Sequence, residues 1–383
     1  MIEKALMGNR RYWLWVSALL VLSAIGAIFY LHQLSYGLGV TGLSRDVIWG
    51  LYISQFTFFV GVAASAVMVV LPYYLHDYKQ FGKITILGEL LAVAAVTMCM
   101  LFIFVDMGQP ARVMNVLLYP TLHSLMFWDM ISLNGYLLLN AVIAFTALNS
   151  EKKGVSTPQW VKPFIYLSIP WAISIHTVTA FLYSGLAARP FWMTAVLAPR
   201  FLASAFASGP ALLILLILVL RRTTGYYPGD VALDKLTTIM TYAATISVFL
   251  VLMELFTAFY SDIPEHREHF EFLFTGLDGQ HGLVPWMWVS TVLMIAALAM
   301  LYFLRPRVGN QVLAASCICI FFSLWIEKGM GLIVGGLIPS PLGTVTKYQP
   351  TIPEWGIVVG IWSIGALMIT VFYKITVAVR SIS

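Results

Sequence analysis

Ten stretches of this chain are long and apolar enough to cross a lipid bilayer, and little chain is left between them. They run over 12–36, 47–75, 84–106, 122–148, 162–188, 198–220, 236–260, 283–304, 309–337 and 354–378. A spanning helix needs about 20 mostly apolar residues. Inside hydrocarbon every backbone N–H and C=O must be satisfied within the protein, so runs of this length become helices. The expected fold is all-α and polytopic: one integral membrane domain over 1–383, with about ten spans. The first run follows Arg10 and Arg11 but is too long for a signal-peptide core, so it reads as a retained helix.

Composition agrees. Apolar types make up 60% of the residues and charged types 10%, against about 45–50% and about 25% in a soluble chain. That excludes a soluble enzyme, a nucleic-acid binder and a disordered chain. The three cysteines, Cys99, Cys317 and Cys319, all lie in apolar runs and form no CxxC, so no iron–sulfur cluster is expected in this chain. A membrane haem usually takes two facing histidines. Of seven histidines only His176 lies deep, with His32 nearer an end, so no haem and no metal site are expected either.

Positive charge sets orientation. Counting alternate flanking segments, 15 Lys and Arg fall on the side of the two termini and 6 on the other. Lys and Arg favour the cytoplasmic side, so both termini are expected in the cytoplasm and the protein in the cytoplasmic membrane. The outer segment 261–282 is acidic, with Asp262, Glu265, Glu268, Glu271 and Asp278 against one Arg267. That fits either a docked extracytoplasmic partner or a simple lack of positive charge.

Ionisable residues inside spans are costly and normally face a bundle interior. Asp129, His176, Glu254, Glu327 and Lys328 all fall in the outer half of their spans. Asp106 and His32 lie near outer ends, and Glu89 near the inner side. A shared depth is expected from one common internal site, with Lys328 as a charge partner of Glu254 or Asp129. Neighbouring Glu327 and Lys328 must find separate partners. Asp129, Ser132, Tyr136 and Asn140 fall at steps of three, four and four, on one helical face. With Glu89 they form either a proton path or a polar seam between helices.

This residue set suits a quinone, which needs an apolar slot, a polar partner at each carbonyl, and a group that exchanges protons. His176, Tyr52, Gln55, Tyr183, Trp192 and His32 are the candidate quinone contacts. Glu254, Asp129 and His176 are the candidate acid–base groups. A solute transporter uses the same residue types. For it, Pro170, Pro210 and the Gly-rich end of span nine would mark broken helices.

Five segments carry a resemblance. WGLYISQFTFFVGVAASA (49–66), DMGQPARVMNVLLYPTLHSLMFWDMISLNGYL (106–137), IHTVTAFLYSGLAARPFW (175–192), MELFTAFY (253–260) and LIPSPLGTVTKYQPTIPEWG (337–356) occur in this order. Together they resemble the NrfD/polysulfide-reductase family of membrane subunits over nearly the whole chain. Within it the ten spans and the His176–Thr179 segment look most like the DsrP branch, from a menaquinol-oxidising complex of sulfur metabolism; hydrogenase-2-type membrane subunits come next. The resemblance implies two four-helix bundles, spans two to five and six to nine, with spans one and ten outside. It implies bound menaquinone near the outer face and a ferredoxin-like iron–sulfur subunit docked there. Cytochrome c, cytochrome b and heterodisulfide-reductase-like subunits are implied as further partners. Family members place a His and an Asn at the outer start of the signature helix. Here that region reads Tyr52, Ser54 and Gln55, with no histidine, a departure from the family pattern. A Tyr in span five of those members falls near His176, upstream of the shared Arg189-Pro190, so His176 is expected to take over its role. Asp106 and Arg112 are expected to order the outer loop. The implied function is electron exchange between menaquinone and the docked iron–sulfur protein. A proton-translocating module is the alternative.

Overall fold

The computed structural model describes residues 3, 6–76, 78–305 and 309–380; Lys4 and Arg307 of the charge count lie outside these. Among the described residues, ten helices are long and apolar enough to span a membrane. They are α1 (Arg10–Tyr36), α2 (Leu51–Leu75), α3 (Gly82–Asp106), α4 (Leu125–Lys153), α5 (Lys162–Ser184), α6 (Leu197–Thr224), α7 (Asp230–Ser261), α8 (Val284–Leu304), α9 (Asn310–Leu337) and α10 (Ile352–Arg380). The only strand-like pairing among the described residues is an isolated bridge between Leu277 and Gln280.

Local chemistry sets the helix ends. Asn9 accepts the Tyr12 N–H at 2.9 Å and caps α1. Gly154 and Gly225 end α4 and α6 in the left-handed conformation, with φ of 66° and 73°. Lys152, Lys153, Arg221 and Arg222 occupy the last turns of those two helices, where cations complement the helix dipole.

Within each of two groups, successive spans pack on one another. Helices α2 to α5 form one four-helix group and α6 to α9 a second, joined where α2 meets α6 and α9 and where α5 meets α6. Helix α1 pairs with α10, and α10 lies along α3. Gly26 and Gly360 make the α1–α10 contact close: a Cβ on Gly26 would fall 2.5 Å from the Gly360 Cα. Every residue of Leu51–Ala63 on helix α2 is buried, which makes it the central helix.

Two helices are irregular at depth. Helix α2 breaks at residues 64–66. There Ser65 Oγ donates to the Gly88 carbonyl at 3.2 Å and Tyr136 Oη to the Ala63 carbonyl at 3.4 Å. Gly209 lets α6 approach the break, since a Cβ there would lie 2.7 Å from Ser65 N. Helix α9 makes a π-turn over Trp325–Gly331 and packs it on α2. Pro170 and Pro210, by contrast, sit inside continuous helices.

Segments 37–50, 107–124, 185–196, 262–283 and 338–351 cover one end, termed the capped end. Glu354 holds it together from the first turn of α10. It accepts the N–H groups of Gly42 and Thr351, both at 2.8 Å, and the Tyr348 hydroxyl at 2.7 Å. Tyr348 Oη in turn accepts the Leu51 N–H at 2.7 Å, capping α2. Burial, with Glu354 beside it, pushes the Tyr348 hydroxyl up from its ordinary range. A short helix, Pro264–Phe274, seats His269 against the end of α9. His269 Nδ1 lies 2.7 Å from the Gly335 carbonyl and 2.9 Å from the Ile338 carbonyl. Both partners are acceptors, so Nδ1 carries the hydrogen.

Candidate functional site

The ionisable groups expected in one pocket occupy two, one in each helix group. In the first, Asp129 on α4 is buried and accepts the Thr179 hydroxyl of α5 at 2.6 Å. Thr179 shares a face of α5 with His176 and Tyr183, three and four residues away. His176 is wholly buried, and neither ring nitrogen has a hydrogen-bond partner. The Tyr183 hydroxyl bonds Thr57 of α2 at 2.6 Å. Above this column, toward the capped end, lie Trp49 and Trp192, with ring centroids 5.7 and 5.3 Å from Tyr183. Trp192 Nε1 donates to the Leu332 carbonyl at 2.8 Å, which fixes that ring against α9.

In the second pocket Glu254 of α7 and Glu327 of α9 both bind the Arg200 guanidinium. Arg200 belongs to the first turn of α6 and is buried; counting it as an outer-loop cation misplaces it. The expected Lys328 pairing with Glu254 or Asp129 does not form. Lys328 Nζ instead donates to the Phe201 carbonyl at 3.3 Å and lies 4.4 Å from the Phe201 ring centroid. The reason is geometric: adjacent residues in the π-turn of α9 point apart. Glu327 turns into its own helix group and Lys328 toward the seam with the other.

The candidate quinone contacts divide three ways. Tyr183, Trp192 and His176 line the α5 column. Tyr52 donates to Gln33 Oε1 at 2.6 Å, facing α1. Gln55 Oε1 accepts the Trp325 and Trp362 indoles at 2.9 and 3.0 Å, facing α9 and α10. Those two donors fix the amide orientation and leave the Gln55 NH2 buried without a partner. A central helix sends its side chains in every direction, so nearness in sequence on α2 did not bring these groups together. His32 is exposed beside Tyr36 on the outside of α1, with ring centroids 4.7 Å apart.

The α4 row is buried on one face. Ser132 Oγ donates to the Asp129 carbonyl at 2.9 Å, and Asn140 Nδ2 to the Tyr136 carbonyl at 2.8 Å. Glu89 is buried nearer the other end of α3 with Oε2 unpartnered. Asp106 and Arg112 form no ion pair among the described residues: Asp106 Oδ1 is buried without a partner, and Arg112 is exposed.

Sequence reasoning missed Arg200, Thr57, Thr179 and the Glu354–Tyr348 pair. Two carboxylates in neighbouring spans imply a buried cation, and the Arg in the first turn of α6 was the available one. Thr351-x-x-Glu354 is a capping-box pattern.

At the capped end, burial holds the His269 imidazole below its ordinary range, with Arg189 and His266 adding to this and the two carbonyls opposing it. Asp46 is held below the usual carboxylate range by its hydrogen bond from Arg45, with Thr346 and Thr344 adding to it.

The chain is 26% identical to a putative dimethyl sulfoxide reductase membrane subunit of Halobacterium salinarum, over 94% of this chain and 89% of that one. It is 24% identical to a selenate reductase subunit of Mesobacillus selenatarsenatis, over 94% and 95%. It is 22% identical to an Hdr-like menaquinol oxidoreductase integral membrane subunit of Archaeoglobus fulgidus, over 94% and 93%. The model of the polysulphide reductase NrfD family matches residues 39–337, and the chain belongs to that family.

Proposed function

We propose that this chain is the quinone- and quinol-binding membrane subunit of a multi-subunit respiratory oxidoreductase. The observation that carries this is the α5 column. It presents a wholly buried imidazole with two unspent nitrogens, a buried carboxylate held by Thr179 one turn along from it, and the packed rings of Trp49, Tyr183 and Trp192 above them. An orphaned buried imidazole under aromatic walls fits a flat ring bearing a polar oxygen. A bound quinol supplies two electrons and two protons. His176 would hold the ring oxygen, and Asp129, held in place by Thr179, would take the two protons one at a time, passing each on before the next arrives. The aromatic walls exclude water.

The capped end is the outer face in this reading, with both termini in the cytoplasm and the protein in the cytoplasmic membrane. A ferredoxin-like iron–sulfur subunit docks on the capped end, where helix Pro264–Phe274 presents carboxylates, and takes the electrons. The chain contributes no haem or cluster of its own. The relatives' names support membership of a redox complex, and one of them names menaquinol. Menaquinone is therefore the proposed lipid, and sulfur-linked metabolism with cytochrome and heterodisulfide-reductase-like partners the proposed setting. The test is oxidation of a menaquinol analogue by the complex purified in mild detergent. His176→Ala and Asp129→Asn, still assembled, should lose at least ~10-fold, since general acid–base groups contribute about 10²–10⁴. Wild-type rates in both variants would remove the site.

A second reading, a proton-translocating module of the same complex, is favoured by the buried Asp129–Ser132–Tyr136–Asn140 face. That face lies against the break in α2, with unpartnered Glu89 beyond it. Asn140→Leu and Glu89→Gln should then abolish proton release from reconstituted vesicles while quinol oxidation continues. A solute transporter has only the break in α2 and the π-turn of α9 in its favour. Copurification of an iron–sulfur protein would count against it.

A further inference from the structure

At the end of the molecule opposite the cap, α3, α4 and α10 leave between them a cavity of about 650 Å3. That is within the roughly 300–1,000 Å3 of small-molecule and cofactor sites. Two helix faces wall it. Phe145, Leu148 and Lys152 follow one another on α4 at steps of three and four, and Phe372 and Ile375 on α10 at a step of three. Leu90 of α3 closes it behind. Leu90, Leu148 and Ile375 are buried, whereas Phe145 is 44% exposed, so the cavity is a cleft with an open side. At its deeper end the Phe145 and Phe372 rings meet edge to face, with centroids 5.9 Å apart.

The lip of the cleft is charged. Lys152 is exposed in the last turn of α4, seven residues from Phe145, or roughly 10 Å along the helix. Its neighbour Glu151 is held by the Arg380 guanidinium of α10 at 2.8 and 2.9 Å. Lys152 pairs with no carboxylate among the described residues. Glu3, also exposed, is the acid that lines the cleft. The chain segments at this end carry 15 Lys and Arg against five acids, Glu3, Asp77, Glu151, Asp230 and Asp234, so the field there favours an anion. The five apolar lining residues offer water no partners, and packed proteins leave few voids of this size empty. Apolar walls with one unpaired cation at the lip fit an amphiphile with a negative head.

We propose that this cleft binds a membrane phospholipid with an anionic head. One acyl chain lies between the α4 and α10 faces and ends at the Phe145–Phe372 pair, and the phosphate sits at Lys152. The lysine stem lies along the apolar wall while its ammonium reaches the head. Basic pockets between spans on the cytoplasmic side bind anionic lipid heads in this way. An uncharged lipid would use the same walls but leave Lys152 without a partner. No residue of the α5 column lines the cleft, so the proposal does not depend on the quinol reading.

Native mass spectrometry of the full chain in detergent, titrated with phosphatidylglycerol or phosphatidylcholine, tests this. Phosphatidylglycerol should bind more tightly. Lys152→Gln should weaken it about fivefold, the contribution of one basic residue near an anionic lipid head. Lys152→Glu should weaken it further, and Glu3→Gln should tighten it. Both residues are exposed, so these variants should fold as wild type does. Leu148→Trp, which fills the cleft, should abolish the binding; if that variant fails to assemble, the Lys152 and Glu3 variants decide. Equal binding of phosphatidylcholine, or unchanged phosphatidylglycerol binding in Lys152→Glu, overturns the proposal. Displacement of the lipid by inorganic phosphate or by menaquinone at equal concentration also overturns it, in favour of a free-anion or a quinone site.

Discussion

Arg200 donates a guanidinium N–H to Glu254 across the α6–α7 contact, and both side chains are buried. With Glu327 on α9, three helices of one group meet on a single cation. Removing one partner of a buried pair leaves an unpaired charge, at a cost of about 3–5 kcal/mol. Arg200→Ala is expected to lower the melting temperature sharply or prevent assembly. Glu254→Gln, which keeps an acceptor and leaves Glu327 on Arg200, should cost less. Fluorimetric melting of the detergent-solubilised protein ranks the two, and equal melting points would contradict the pairing.

Thr179 is the donor that Asp129 has among the described residues. Thr179→Val removes the hydroxyl at nearly constant shape and strands a buried carboxylate, an expected loss of about 1–3 kcal/mol. Thr179→Ser should restore it. A valine variant as stable as wild type would show that Asp129 is held by something else.

Tyr348 serves two elements with one oxygen. Tyr348→Phe leaves the Leu51 N–H and one Glu354 oxygen without that partner, again at about 1–3 kcal/mol. The loss should concentrate at the capped end. Hydrogen exchange is expected to speed up in segments 37–50 and 338–351 and in the first turn of α2, with the 225–229 turn unaffected. Uniform exchange across both ends would argue against a local clamp.

His269 sets a pH dependence. Its imidazole is held below its ordinary range in the folded chain, so the unfolded state binds a proton first as pH falls. The stability contributed by neutral His269 is therefore present above about pH 6.5 and is lost on acidification through the lower folded value. Melting temperature measured from pH 8 to about pH 5 should fall more steeply in wild type than in His269→Gln. Parallel curves would show that His269 carries no such linkage.

The fold was legible because spanning segments obey a single rule: about 20 apolar residues satisfy themselves as helix. Ten such runs gave ten helices. The grouping into α2–α5 and α6–α9 came through resemblance, since hydropathy says nothing about which spans touch. The site was half legible. Asp129, His176, Glu254 and Glu327 sit inside the helix groups, as intramembrane charge requires. Their depth is readable from sequence, but their azimuth around the helix axis is not. Glu254 on α7 and Asp129 on α4 each face the interior of their own helix group, so a similar depth did not bring them together. Gln55 and Tyr52 failed for the same reason on the central α2. The π-turn that sends Lys328 away from Glu327 has no composition signal of its own.

The Gly26–Gly360 contact brings together the two spans made furthest apart in time. Of the ten, α1 leaves the ribosome first, yet its tightest seat is on the last of them to be inserted. Until α10 arrives, α1 must wait in lipid with that glycine face uncovered. A chain cut short before α10 therefore loses the docking of α1 as well.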